Sequence, residues 1–173
     1  MTTSTQKSSL AGLEPIGAKT HSAQQVAAML DDALMFKGFE WAHLEALAGY
    51  IQLYRALPGV ELFHEGDQGD FMCIVLEGKL EIHKEDKEGV DKTVVTVQAG
   101  RGLGEMSMVD GEPRSATVVV VAPALLAVLT QEHFALITRD KPALAVKILS
   151  KIAQLLSQRL RYTSGVLVDY LGK

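Results

Sequence analysis

The chain has 173 residues, 47% of them hydrophobic, with a formal net charge of −4 and a sequence pI near 5.7. That length buries one substantial core with a small helical appendage, so one domain is expected. The acidic balance excludes a global electrostatic attraction to nucleic acid or to an anionic membrane surface, and any anion site must be local.

Residues 1–23 are small, polar and aperiodic, which predicts a flexible N-terminal tail; they lack the apolar core of a signal peptide. From 24 to 57, Val26, Leu30 and Leu34, then Trp41, Leu44, Leu47, Ala48 and Ile51 recur at helical spacing, predicting short helices that stop at Pro58-Gly59. Over 58–130 the texture becomes β-rich: VELFHE, FMCIVLE, KLEIHKE, KTVVTV, ATVVVV and ALLAVLT, separated by turn material such as EGDQGD, EGK and KEGVD. Short strands at that spacing predict a small antiparallel barrel or roll. The single cysteine, Cys73, sits inside FMCIVL and reads as a buried thiol, excluding an intramolecular disulfide. The greasiest run, VVVVAPALLAVL, is too short to span a bilayer and is broken by Pro123.

From 131 to 171 helical periodicity returns. A short helix in QEHFALIT precedes a long one after Pro142, with Ile148, Ile152, Leu155 or Leu156 and Leu160 along one side and a bend or fray at Gly165. Lys147, Lys151, Arg159 and Arg161 recur on it and read as a solvated face. The expected fold is α+β: an antiparallel β-roll (double-stranded β-helix, cupin-like jelly roll) flanked by N-terminal helices and a long C-terminal helix, in a single domain over 24–173.

The chemistry concentrates in GLGEMSMVDGEPRSATVVV, residues 102–120. A cyclic phosphodiester with a ribose needs a planar guanidinium for its two exocyclic oxygens, which Arg114 offers, and an acceptor for the 2′-hydroxyl, which Glu105 offers. Gly102 and Gly104 allow close backbone approach, EMSMVD is long enough for a helical turn with free N–H groups, and Ser115 adds a donor. The competing reading is a surface hairpin in which Glu105 and Arg114 pair or point to water. Gly-x-Gly-Glu alone is common; the joint order, with Pro-Arg-Ser-Ala-Thr-Val entering a buried strand, is specific.

GEMSMVDGEPRSATV resembles, along its whole length, the phosphate-binding cassette of the cyclic nucleotide-binding domain family, shared by bacterial cAMP receptor proteins, kinase regulatory subunits and some ion channels. FHEGDQGDFMCIVLEGKLEI resembles that family's Gly-Asp turn and paired strands, and the similarity spans about 34–170. The resemblance implies Glu105 on the ribose and Arg114 and Ser115 on the cyclic phosphate, with main-chain groups around Gly104, Met106 and Ser107 helping and Ala116 in the same ligand-binding set. QRLRYTSGVLVDYL resembles the long helix of cAMP receptor proteins, which implies Thr163 and Ser164 at the adenine amino group, the serine acting across a dimer seam. Tyr162 and Tyr170 are candidate lids over the base, or ordinary core. The sequence departs from the family at GRGLGE, where Arg101 and Gly102 replace an Asp and bulky residues. Receptor proteins continue into a helix-turn-helix domain, whereas this sequence stops at Lys173, so DNA binding is not expected.

The expectation is a stand-alone cytoplasmic sensor for a cyclic nucleotide, cAMP first and cGMP or cyclic di-GMP as alternatives. It would signal to a separate effector protein through ligand-dependent movement of the C-terminal helix, without enzymatic activity, cofactor, metal, nucleic acid or membrane. A homodimer through the C-terminal helix is a candidate assembly. The rival readings are a degenerate interaction module that no longer binds nucleotide and a metal-dependent cupin enzyme. The latter needs convergent ligands, but His21, His43, His64, His83 and His133 are scattered and form no His-x-His.

Overall fold

α1 (Ala23–Asp32) begins where Ser22 closes a capping box: its Oγ accepts from Gln25 N at 3.2 Å and its N donates to Gln25 Oε1 at 2.8 Å. The computed structural model describes residues 10, 12–17 and 20–171. Before α1, β1 (Glu14–Pro15) pairs antiparallel with β2 (Gln52–Ala56), and Leu13 is buried beside it. The flexible tail expected over 1–23 is therefore corrected for 12–17, which Leu13 anchors to the core; residues 1–9, 11, 18 and 19 lie outside the described residues.

After α1 come a 3-10 turn (Leu34–Phe36) and α2 (Trp41–Ala48). The helical reading of 24–57 ends there, because Gln52–Ala56 is strand β2, in register with β7 (Thr117–Thr130) from Gln52↔Val128 to Ala56↔Ala124. Its buried residues, Leu53 and Ala56, are three apart and prolong the helical spacing, so only the distant pairing decides the conformation.

β3 (Glu61–Phe63) also pairs with β7, and β4 (Phe71–Glu85) runs beside β7, β5 (Asp91–Gln98) and the short β6 (Gly102–Leu103). The sheet order is β1-β2-β7-β4-β5, an antiparallel roll as expected. The expected turn at EGK is instead a bulge within the 15-residue β4. Gly78 has φ +92 there, and a Cβ on it would run into the Pro123 carbonyl of β7, so the two strands bend together without separating.

α3 (Glu105–Asp110) interrupts the roll between β6 and β7. The chain then closes with α4 (Gln131–Asp140), capped by Thr130 Oγ1, and α5 (Pro142–Leu171). α5 continues as helix through Gly165, where a bend or fray was expected, since one glycine costs about 1 kcal/mol against a 30-residue helix. One apolar cluster joins Leu30, Leu44 and Leu47 to Ile148 and Ile152 of α5 under the sheet; a second, with Phe71, Leu80, Val120 and Leu126, fills the roll. Beyond Leu156, α5 is exposed through Val168.

Candidate functional site

The site sits where the inside of the roll meets α3. β6 pairs with Cys73 and Ile74 of β4, and Gly104 turns the chain at φ +77, so that Glu105 opens α3 with its carboxylate buried. The departure noted at Arg101-Gly102 leaves this geometry intact, because Val75 N bonds the Arg101 carbonyl at 2.9 Å and Gly102 lies in β6.

Arg114 is buried from the opposite side. Its Nη1 donates to Gly104 O at 3.0 Å and its Nη2 to Phe71 O at 2.8 Å. Its guanidinium carbon stands 4.1 Å from the Phe63 ring centroid and 4.7 Å from that of Phe71. Nε is buried without a hydrogen-bond partner, a donor left over in the site. Burial pushes the Arg114 pKa down, while Cys73, Asp70, Asp67 and Glu105 pull it back up. Gly69 makes room for this packing: a Cβ there would come within 2.7 Å of Arg114 Cζ and 2.6 Å of Ser107 Cβ.

The loop after α3 is stitched to the turn before β4. Gly66 N donates to Arg114 O and Arg114 N to Asp67 O, both at 2.8 Å, and Glu65 N donates to Thr117 Oγ1 at 3.0 Å. Lys84 Nζ bonds Ser115 O at 2.8 Å and Glu65 Oε1 at 2.7 Å.

The third charged group is Arg159 of α5. Its Nη1 forms an ion pair with Glu105 Oε1, and its Nη2 donates to Gly102 O at 3.2 Å. This corrects the solvated-face reading for Arg159, as do the contacts of Lys151, which bonds Lys37 O at 3.3 Å, and Lys147, whose Nζ lies 5.2 Å from the Phe39 ring centroid, while Arg161 is exposed as expected. The sequence held one sign of it: Arg159 interrupts the apolar stripe of α5. The surface-hairpin reading is overturned as well, since Glu105 and Arg114 are both buried and the carboxylate pairs with Arg159.

The cassette residues singled out in the sequence, Gly104, Glu105, Met106 and Ser107 with Arg114, Ser115 and Ala116, all line one open pocket. Phe63, Ile82, Leu103 and Val118 supply its apolar wall. Ser115 is exposed at the rim, its Oγ 3.7 Å from Met106 Sδ. The helix residues do not join them: Thr163 and Ser164 are exposed, Tyr162 is 77% exposed, and none lines the pocket in the single chain. The side chain of Tyr170 lies outside the described residues. Sequence reasoning missed Arg159, Gly69, Lys84 and the two phenylalanines flanking Arg114.

Chemically the pocket offers a buried carboxylate acceptor, a buried guanidinium with a spare donor, and an apolar wall. Cys73, beneath it, is an inert thiol whose pKa burial pushes up to about 12. Among the described residues, no three His, Cys, Asp or Glu side chains gather as a metal site requires, and no helix is long and apolar enough to cross a membrane.

The sequence model of the cyclic nucleotide-binding domain family matches residues 55–140, which contain the whole cassette. The cyclic AMP receptor protein of Thermus thermophilus is 29% identical over 127 residues, 73% of this chain; the chain spans 57% of that relative's length. The crystal structure of a cyclic nucleotide-binding domain from Methylobacillus flagellatus superposes with a TM-score of 0.80 at 29% identity, covering 94% of this chain and 91% of that one. The regulatory domain of Toxoplasma gondii PKA, solved with cAMP, shares the fold at a TM-score of 0.66 and 20% identity, over 81% of this chain and 50% of that one. The buried carboxylate and guanidinium thus fall inside a matched segment of the matching fold, and the chain belongs to the cyclic nucleotide-binding domain family, a family of regulatory domains.

Proposed function

We propose that this domain senses cAMP and reports its occupancy through α5. The ribose 2′-hydroxyl would donate to Glu105, and the cyclic phosphate would accept from Arg114, whose Nε is the donor without a partner. The observation that carries the sensing role is the ion pair between Arg159 and Glu105, because it ties the ribose acceptor to the helix. A hydroxyl arriving at Glu105 competes with or reshapes that pair, so ligand affinity differs between positions of α5. The response lies in how α5 docks on the pocket, which Arg159 touches through Glu105 and the Gly102 carbonyl.

The comparison with the Thermus receptor protein supports cAMP as the first ligand to test. The exposed Leu160, Val166, Leu167 and Val168 support a second copy of the chain as the neighbour of α5. An effector protein reading the helix is part of the same reading.

Hydrogen exchange tests the coupling directly. Adding cAMP should change the protection of residues 157–171 in the wild type and leave it unchanged in Arg159→Ala, with cGMP and cyclic di-GMP as ligand controls. Exchange that ignores cAMP in the wild type, while calorimetry shows it bound, would make the domain a binder that does not signal through α5.

A further inference from the structure

We infer that Lys84 is a positioning residue for the cyclic phosphate: it turns the Ser115–Ala116 peptide so that the Ala116 N–H faces the pocket. The inference rests on the nucleotide-binding reading above. Lys84 lies two residues beyond Ile82 on the same face of β4, and Ile82 lines the pocket while Lys84 reaches past its end. Its Nζ holds the Ser115 carbonyl at 2.8 Å and is itself held by Glu65 Oε1 at 2.7 Å.

The described chain has no cis peptide bond, and in a trans peptide the C=O and the following N–H point in opposite directions. Neither Lys84 nor Glu65 lines the pocket, whereas Ser115 and Ala116 do. A Ser115 carbonyl pinned outward therefore sends the Ala116 N–H inward. The preceding peptide is pinned in the same manner, since Gly66 N holds Arg114 O at 2.8 Å and leaves the Ser115 N–H on the opposite side. With both carbonyls occupied, the Ser115 and Ala116 N–H groups are the main-chain donors this stretch can offer an anion. The first tie is backbone to backbone; the second depends on one lysine side chain.

The ion pair to Glu65 is too exposed to act by its own energy, with Lys84 52% and Glu65 33% exposed at the side chain. Its effect is directional. It keeps the ammonium over one carbonyl, so the role is orientation of the loop and not stability of the roll.

The test is a cAMP titration of the full chain as wild type, Lys84→Met, Lys84→Arg and Glu65→Gln, with the Ala116 amide followed by 15N–1H NMR and melting temperature as control. Lys84→Met should weaken binding by about five- to tenfold, the scale of one ordinary net hydrogen bond at a half-exposed side chain, without a matching fall in melting temperature. The nucleotide-induced downfield shift of the Ala116 amide should shrink with it. Lys84→Arg should restore both readouts, and Glu65→Gln should fall between Lys84→Met and the wild type. Wild-type affinity together with an unchanged Ala116 shift in Lys84→Met overturns the inference and leaves the nucleotide site standing. A folded wild type that takes up no cyclic nucleotide overturns the site and the inference together.

Discussion

Arg114 and Arg159 bring guanidinium groups to the same pocket from regions of opposite character. Arg114 is 2% exposed, fixed by two backbone carbonyls and flanked by two phenylalanine rings inside the roll. Arg159 has a side chain 46% exposed and projects from a stretch of α5 that is solvent-facing from 157 to 168. The roll side cannot shift without disturbing the core, whereas the helix side can move at little cost. The proposed function assigns recognition of the ligand's anion to the first region and transmission to the second.

The largest effect that would break this contrast is at Arg114. Arg114→Leu should cost on the order of 2–5 kcal/mol of binding, at least about thirtyfold in affinity, by the cost of truncating one partner of a charge pair. It should also lower the melting temperature, because the carbonyls of Gly104 and Phe71 lose their donors. Calorimetry and thermal melts read the two effects separately.

Within α5 the same contrast separates its two halves. Ile148 is 1% exposed and joins the helix to the core, so Ile148→Ala should destabilise by about 2–4 kcal/mol in chemical denaturation. Leu167 is 54% exposed, and Leu167→Ala should leave the stability of the single chain within about 0.5 kcal/mol. If α5 pairs with a second copy, Leu167→Ala should instead weaken self-association in sedimentation.

Arg159→Gln sharpens the comparison from the helix side. It should abolish the cAMP-dependent change in exchange over 157–171, and it should lower stability because the buried Glu105 carboxylate loses its charged partner. The smallest effect is at His83, away from both arginines on the β4–β5 hairpin. Its ring lies 2.8 Å from Asp91 Oδ2 and 3.3 Å from Glu81 Oε2. The bond to Asp91 first, with Glu81 adding, raises its pKa. The folded state thus holds the proton more tightly than the unfolded chain. That contribution is complete below the ordinary histidine value of about 6.5 and is lost as pH rises through the raised folded value. His83→Gln should remove this slope from the stability–pH profile and leave cAMP affinity unchanged.

What the sequence made legible follows from how local each feature is. The roll's candidate site residues lie within the contiguous stretch from Gly104 to Ala116, so their order along the chain predicted a shared pocket, and the structure gathers Gly104, Glu105, Met106, Ser107, Arg114, Ser115 and Ala116 in one. Arg159 pairs with a carboxylate 54 positions away, and Lys84 with a carbonyl 31 positions away. Nothing in the immediate neighbours of Lys84 distinguishes it from a solvated cation, and the one local sign at Arg159 is its place in the apolar stripe of α5. The same cause explains the fold-level differences. β2 continues a helical spacing and becomes a strand only through β7, and β4 and β7 each run unbroken past a residue, Gly78 or Pro123, that locally signals a turn. Local patterns report local structure; a pairing made across the sheet overrides them.

The most direct measurement is a calorimetric titration of nucleotide-free, folded protein with cAMP, run in parallel on wild type and Arg114→Leu. The expected result is saturable binding at one site per chain, micromolar or tighter in the wild type and at least about thirtyfold weaker in Arg114→Leu. Silence in the wild type, or equal affinity in the two proteins, would contradict the assignment of the cassette pocket as the nucleotide site.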